Sequence, residues 1–169
     1  MHNVRSAYKM FCGCKNFDYN LSKWNINNLR TISYMFNKCS KFKGRGLKNW
    51  NVSNVEFMDN LFNGCILFNE DIRNWNVSNV VDMQYMFYGC KNFNQNIGGW
   101  NVSNVTNMSY MFKDCIKFNQ DLNDWNVNKC RSFENMFDTC INLEKKFNKW
   151  NIYHTAPITD MYSNCPKIA

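Results

Sequence analysis

Apolar residues recur along this chain with a fixed period of 25 residues. One step of 26 residues interrupts the period near Gly44 and Gly46, where glycines suit a looped or bulged insertion. Such a period is typical of a repeat protein, in which each copy is one small structural unit. The two most regular series are Trp24, Trp50, Trp75, Trp100, Trp125 and Trp150, and Cys14, Cys39, Cys65, Cys90, Cys115, Cys140 and Cys165.

Two different spacings coexist within one repeat. Trp100 and Val102 alternate around Asn101, which is the two-residue period of a short strand. The next apolar residues lie three, four or seven positions apart, a spacing that places side chains on one face of a helix. These residues are Val105, Met108, Met111, Phe112 and Cys115. The pattern predicts a strand, a turn, a helix and a loop in each repeat.

Both ends of the predicted helix carry suitable residues. Ser103 or Asn104 stands where an N-cap accepts hydrogen bonds from free amides. The residue before each Cys of the series is mostly a type that tolerates the left-handed conformation in which helices often end. These residues are Gly13, Lys38, Gly64, Gly89, Asp114, Thr139 and Asn164.

A single repeat cannot bury its apolar face, whereas stacked copies bury Trp on Trp and Cys on Cys. We predict an α/β repeat solenoid with short parallel strands on one side and short helices on the other; the alternative is an all-β solenoid. The prediction covers residues 1–169 as a single solenoid of about six to seven repeats. The solenoid starts within a repeat and lacks evident caps, so we expect either a longer array or a partner that covers its ends.

The motif Trp-Asn-Val-Ser-Asn-Val occurs at 50–55, 75–80 and 100–105. With the Met-Phe-x-x-Cys that follows, it resembles the repeat of BspA-like leucine-rich-repeat surface proteins. The resemblance covers nearly the whole chain. It implies a leucine-rich-repeat-like, non-enzymatic solenoid, found in bacterial surface proteins linked to adhesion and also in protists and large DNA viruses. Cys130 and Thr155 replace the Val at the predicted helix start, and Pro157 enters the last helix, which indicates an irregular final repeat.

Composition narrows the class of protein. With 169 residues, 45% of them hydrophobic, and only two Pro, the chain is expected to pack a core rather than to be disordered or collagen-like. No apolar run approaches the roughly 18 residues of a membrane helix, so we expect no membrane span. We also expect no signal peptide in this chain. The family resemblance implies a location at the cell surface or in a virion.

The net charge of +7 is unevenly distributed. Residues 1–50 carry ten basic residues and one acid, whereas residues 51–100 carry two basic residues and five acids. A candidate basic patch near the irregular repeat comprises Lys38, Lys41, Lys43, Arg45 and Lys48. This patch is either an ordinary solvated surface or a site for an acidic protein, an anionic surface or an anionic polymer. Nucleic acid is disfavoured, because aromatic residues do not interleave with the basic ones.

Neither the cysteines nor the histidines form a recognisable reactive site. The spacing of the Cys series is unlike the paired Cys-x-x-Cys motifs of zinc sites. We expect the series to be free, buried thiols; Cys12 and Cys14 are the one close pair. His2 and His154 do not recur in the repeat. We therefore expect no enzyme activity, no metal site and no cofactor.

One row of residues is expected to face outward beside the Trp series. An Asn follows every Trp, and the residue before each Trp varies. The Asn row is either a structural amide ladder between copies or a ligand-binding row. Tyr34, Tyr85 and Tyr110 recur on the outer helix face, at an interface or against neighbouring helices. The candidate interaction face comprises Lys23, Asn25, Asn49, Asn51, Asn74, Asn76, Asn101, Asp124, Asn126, Lys149 and Asn151.

The favoured function is a non-enzymatic repeat scaffold that mediates protein–protein interaction, with the adhesive surface role that the resemblance implies. The alternative is an architectural subunit, such as a virion component, whose uncapped ends dock on copies of the chain or on assembly neighbours. A weaker alternative is the binding of an anionic polymer through the basic N-terminal repeats.

Overall fold

The computed structural model describes residues 4–154 and 156–168 of the chain. Within these residues the one regular element is a single turn of 3-10 helix, Leu47–Asn49, and neither an α-helix nor a β-strand forms. The predicted α/β, leucine-rich-repeat-like solenoid is therefore wrong. The all-β alternative is wrong as well, because the described residues form only isolated parallel bridges and no sheet.

Consecutive β-turns occupy the segments predicted to be helical. We call these seven segments together the turn ladder, and each 25-residue unit a coil. In the fourth segment the amide of Met86 donates to the carbonyl of Met83 at 3.2 Å, and that of Cys90 to Phe87 at 2.9 Å. These bonds span three residues, whereas an α-helix bonds across four. The segments are residues 6–14, 31–39, 57–65, 82–90, 107–115, 132–140 and 157–165.

Alternate amides of the turn ladder bond the next coil. Tyr85 N donates to Ser109 O at 3.0 Å, and Phe87 N donates to Met111 O at 2.9 Å. Gly89 N repeats this bond to the coil that follows. Turn bonds and bonds between coils thus alternate along the segment, which satisfies main-chain groups that a lone turn would leave open.

Two positions in each segment have a left-handed backbone, which a right-handed helix excludes. As predicted, the residue before each Cys has φ > 0, from 55° at Asn164 to 79° at Gly13, although no helix ends there. The other position was not predicted, and there even a tyrosine, Tyr85, has φ of 55°. The residues before Cys and the residues of this second set both occupy the third position of a β-turn, where a type II turn requires φ > 0. The unforeseen set is Lys9, Tyr34, Asn60, Tyr85, Tyr110, Asn135 and Asp160.

Equivalent side chains lie above one another in a single hydrophobic core. The ring of Phe87 is 5.7 Å from that of Phe62 in one neighbouring coil and 5.5 Å from that of Phe112 in the other. Trp75 and Trp100 stack with ring planes 3° apart. Because each ring is covered from both sides by its counterparts, neighbouring coils depend on one another for burial.

The extra residue of the irregular coil is absorbed by two glycines. Gly44 and Gly46 have φ of 89° and 90°, and the 3-10 turn follows directly. A Cβ atom at Gly44 would collide with the ring of Phe68, and one at Gly46 would collide with the backbone of Ser22. Only glycine satisfies both the backbone conformation and the close approach.

The first described coil is less well covered than the coils after it. Trp24 is 36% exposed, whereas Trp100 is 3% exposed. Cys14 is also exposed, so the expectation of a fully buried Cys series is wrong at this position. Met1–Asn3, Thr155 and Ala169 lie outside the described residues, and with them His2 and part of the predicted uncapped ends.

Candidate interaction surfaces

The Trp side of each coil is joined to its neighbour through side chains. The indole N–H of Trp100 donates to the carbonyl of Ile72 in the preceding coil at 3.2 Å, and that of Trp125 donates to Ile97 at 3.1 Å. Trp50, Trp75 and Trp150 make the same bond. We call the Trp series with the residue on either side of each Trp the Trp edge.

The structure places the candidate interaction face on the surface of the Trp edge. Every one of its residues is exposed. The residue before each Trp changes in charge along the edge, from Lys23 through Asn74 to Asp124 and Lys149, of which the last two form an ion pair at 3.5 Å. A rigid buried Trp series therefore carries a row of varied, solvent-accessible side chains.

The Asn residues after Trp do not make the bonds of an amide ladder between copies. Asn101 Oδ1 instead accepts the amide of Ser103 at 3.2 Å within its own coil, an Asx turn, and Asn76 and Ser78 repeat this arrangement. Ser103 and Asn104 cap no helix.

A different Asn links the coils on this side. Asn104 Nδ2 donates to Ser78 O at 2.8 Å, and Asn79 Nδ2 donates to Ser53 O at 2.7 Å. The sequence analysis missed this link. Its signal was the second Asn of the repeated Trp-Asn-Val-Ser-Asn-Val motif, which was assigned to a helix cap.

A shallow groove opens beside the Trp edge where two glycines replace larger residues. Its volume is about 520 Å³, and Gly98, Gly99, Gln120, Asp121 and Asp124 contribute to its lining. The amide of Asn123, which bonds the Asp121 carboxylate, holds the pKa of Asp121 below its usual value. Asp121 therefore gives the groove a negative charge at neutral pH.

The outer surface of the turn ladder is rich in tyrosine and acidic residues. Tyr85 and Tyr110 stack with ring centroids 4.6 Å apart, and Tyr110 Oη donates to Glu134 at 2.9 Å. Tyr34 lies in the same row and contacts the Lys9 ammonium group. These three tyrosines, predicted to lie on a helix face, are half-buried turn residues.

The turn ladder also carries more acidic than basic residues. Of the 13 acidic residues in the chain, six lie in its seven segments, but only three of the 20 basic residues do. The six acids are Asp59, Asp82, Asp114, Glu134, Asp138 and Asp160, and the three bases are Lys9, Lys38 and Lys113. The ladder thus carries a net charge of −3, while the rest of the chain carries 17 basic and seven acidic residues.

The residues of the candidate basic patch are exposed, but acidic residues lie beside them. Its members follow one coil from the turn ladder to the Trp edge: Lys38, Lys41, Lys43, Arg45 and Lys48. Asp18 forms an ion pair with Arg45 and also accepts the amide of Lys43 at 3.0 Å. These contacts lower the net charge of the patch below the value that the sequence suggests.

Buried cysteines bond the main chain of the preceding coil. Cys115 Sγ donates to Phe87 O at 3.0 Å, and Cys90 Sγ donates to Phe62 O at the same distance. Burial raises the pKa of Cys39 to about 12 and that of Cys115 well above its usual value, so these thiols stay protonated. All nine cysteines are free thiols, and Cys12 and Cys14 are the exposed ones.

The described residues contain no group of three or more His, Cys, Asp or Glu side chains placed to hold a metal ion. His154 is exposed beside the ring of Tyr153. Among the described residues, no helix is long and apolar enough to cross a bilayer.

A family model described as "Mycoplasma protein of unknown function, DUF285" matches the chain over residues 1–84 and 58–169. The two matches overlap and together span the whole sequence. This family is related to BspA-like repeat proteins. No curated protein and no solved structure matches the chain.

Proposed function

Since the chain belongs to the DUF285 family, which is related to BspA-like repeat proteins, we propose that it is a non-enzymatic scaffold that binds other proteins along the Trp edge. In its specific form, this proposal gives the chain the adhesive surface role of BspA-like leucine-rich-repeat surface proteins. The location at a cell surface belongs to the same proposal.

The observation that carries the proposal is the contrast between fixed and variable positions at the Trp edge. The indoles are buried and bonded in every coil from Trp50 to Trp150, so the main chain beside them is held rigidly. The exposed residue before each Trp differs in size and charge, from Lys23 to Gly99 to Asp124. A rigid frame with varied exposed side chains costs little ordering entropy on binding and supports specificity.

The test measures saturable binding of the labelled protein to intact cells before and after protease treatment of the cell surface. The variant Lys23→Glu/Lys149→Glu reverses two exposed charges of the Trp edge. We expect its apparent Kd to rise about tenfold, the effect of losing interface side chains that contribute substantially to binding. Protease treatment of the cells should abolish the difference in binding between the unmodified protein and this variant.

The matched control is Lys9→Glu/Lys38→Glu, which makes the same change in net charge on the turn ladder, away from the Trp edge. This control should bind as the unmodified protein does. Equal weakening by both variants would show that net charge, and not the Trp edge, governs binding. A difference between the unmodified protein and the Trp-edge variant that survives protease treatment would contradict a protein partner.

A second candidate function, an architectural subunit, is favoured by the two end faces of the described coils. At each inner junction four ladder amides bond four carbonyls of the next coil. The equivalent carbonyls in the first segment, of Ser6, Tyr8, Met10 and Cys12, accept no main-chain bond from the described residues. The equivalent amides in the last segment, of Ile158, Asp160, Tyr162 and Asn164, donate none to them. The two faces are complementary and suit head-to-tail association of copies.

Side chains at the first face support the same association. Met10 is 44% exposed and Trp24 is 36% exposed, and they border a cavity of about 80 Å³ that Val4 and Leu29 also line. Light scattering coupled to size-exclusion chromatography tests this function over a range of protein concentrations. We expect concentration-dependent oligomers that Met10→Arg disrupts and that Phe57→Arg, a similarly exposed apolar site within the stack, preserves. A monomer at every concentration would contradict this function.

A further inference from the structure

A surface distinct from the Trp edge lies where each coil leaves the turn ladder. It consists of the two residues after each Cys position, and we call it the lysine edge. No acidic residue occupies these positions, and five of the seven coils place a lysine there. The edge comprises residues 15–16, 40–41, 66–67, 91–92, 116–117, 141–142 and 166–167, with Lys15, Lys41, Lys91, Lys117 and Lys167 as its lysines.

Main-chain hydrogen bonds align the lysine edge along the stack. Lys41 N donates to Lys15 O at 3.1 Å, and Lys117 N donates to Lys91 O at 3.3 Å. Neighbouring main chains joined in this way lie about 4.8 Å apart. The lysines therefore leave the backbone in a row along the molecule rather than in a compact cluster.

Most charges of this row have no acidic partner. Lys15, Lys41, Lys91 and Lys117 are exposed, and none forms an ion pair with another described residue. Lys167 is the exception, because it contacts Glu144 at 3.4 Å. The other four ammonium groups are available to an external anion.

Exposed aliphatic side chains interrupt the row of lysines. Ile66, Leu67 and Ile141 are 40%, 38% and 39% exposed, and the main chain of Ile66 is bonded within the same edge by Asn92 N. A soluble polyanion would neutralise the lysines but would leave these aliphatic groups in water. A bilayer surface satisfies both, with anionic headgroups for the ammonium groups and the acyl-chain boundary for the aliphatic groups.

We propose that the lysine edge binds the surface of membranes that contain anionic phospholipids. In this arrangement the lysines lie among the headgroups, and Ile66, Leu67 and Ile141 insert between them. The Trp edge is a separate surface and remains free for protein partners. This inference does not depend on the proposed protein-binding function.

The test is co-sedimentation of the purified protein with phosphatidylcholine vesicles, prepared with and without phosphatidylserine. We expect binding only to the vesicles with phosphatidylserine, and weaker binding as salt is added. The variant Lys91→Gln/Lys117→Gln should lower the partition coefficient about tenfold or more, from the usual contribution of a lysine near an anionic surface. The variant Ile66→Ser/Leu67→Ser should weaken vesicle binding several-fold at unchanged charge.

Two controls make the result specific to this edge. Lys129→Gln/Arg131→Gln removes the same charge elsewhere and should retain vesicle binding. Heparin, a soluble polyanion, should be bound equally by Ile66→Ser/Leu67→Ser and by the unmodified protein. The proposal is wrong if the protein ignores phosphatidylserine, if the control loses as much binding as the lysine variant, or if the serine variant binds vesicles normally. Because the vesicles contain no protein, these outcomes are independent of the cell-binding test.

Discussion

The turn ladder and the Trp edge join the same coils by different chemistry. In the turn ladder a main-chain amide bonds a main-chain carbonyl, as Phe87 N bonds Met111 O at 2.9 Å. On the Trp side of the coils side chains make the link, through the indole of Trp100 and, just beyond the Trp edge, the amide of Asn104. The first link is available to nearly every residue type, whereas the second requires particular ones.

This difference explains which positions of the repeat vary. The first residue of each of the first four ladder segments forms a parallel β-bridge with its counterpart in the next coil. This position is occupied by residues as different as Ser6, Thr31, Phe57 and Asp82, because the bridge uses only the main chain. The corresponding link at the Trp edge is a tryptophan in every coil from Trp50 onward. Chemical variety is thus tolerated in the ladder, and at the Trp edge it is confined to the exposed neighbours of Trp.

The largest difference between the two regions is expected for aromatic truncation. Trp100→Ala should lower the free energy of unfolding by about 3–5 kcal/mol, because it removes a buried ring and an inter-coil bond. Phe57→Ala in the turn ladder should change it by no more than about 0.5 kcal/mol, since Phe57 is 42% exposed and pairs through its backbone. Urea unfolding monitored by circular dichroism measures both. Similar losses would remove the distinction between the regions.

A smaller effect is expected from the left-handed positions of the turn ladder. Gly89→Ala should destabilise the protein by about 1–2 kcal/mol, because φ at Gly89 is 69° while the nearest atom to an added Cβ is 3.8 Å away. Gly99→Ala beside the Trp edge is the control, since no atom lies within 4 Å of its added Cβ. Calorimetric unfolding should show a lower Tm for the first variant only. An unchanged Tm for Gly89→Ala would contradict the left-handed turn.

Loss of the amide link that Asn104 makes beside the Trp edge should destabilise the protein less than Trp100→Ala or Gly89→Ala does. Asn104→Ala removes the bond to Ser78 O and also the contact from Lys129, so we expect a loss of about 1 kcal/mol. Asn101→Ala removes only the bond within its own coil and should cost less. Guanidinium unfolding of the two variants gives the comparison. The reverse order would show that the links between coils lie elsewhere.

The smallest effect concerns a carboxylate of the turn ladder. Burial, with the nearby Asp59, raises the pKa of Asp82 above its usual value, so its charged form destabilises the fold at neutral pH and this cost disappears as pH falls through the raised pKa. Asp82→Asn should therefore stabilise the protein at pH 7 by less than about 1 kcal/mol. In the next coil Asn107 accepts the same turn bond, from Ser109 N.

The pH dependence provides the check on this prediction. Thermal unfolding of Asp82→Asn and of the unmodified protein should converge in acid, below the usual pKa of an aspartate, about 3.9. A difference that persists unchanged into acid would mean that the carboxylate charge is not its cause.

The sequence predicted burial better than it predicted conformation. All five apolar residues assigned to one helix face are fully buried: Val105, Met108, Met111, Phe112 and Cys115. The helix itself is absent, because linked turns also direct every third or fourth side chain inward. The apolar spacing therefore fits both structures, and the bonding of alternate amides to the next coil favours the turns.

The candidate surfaces could be predicted only in part. Outward positions such as Lys23 and Asn101 followed from alternation with the buried Trp series. The left-handed conformation of Tyr85 gave no signal, because tyrosine is not a residue type that marks such turns. The acidic turn ladder and the lysine edge emerged only once the path of each coil was known, since their residues are dispersed along the sequence.

The fold rests on one bonding pattern, in which alternate amides of each ladder segment bond the next coil rather than a carbonyl of their own segment. Scalar couplings across hydrogen bonds, measured by NMR, test this pattern most directly because each coupling identifies donor and acceptor. We predict couplings from the amide nitrogens of Tyr85 and Phe87 to the carbonyl carbons of Ser109 and Met111. Couplings from these amides to the carbonyls four residues earlier, at Val81 and Met83, would show a helix and would contradict the account.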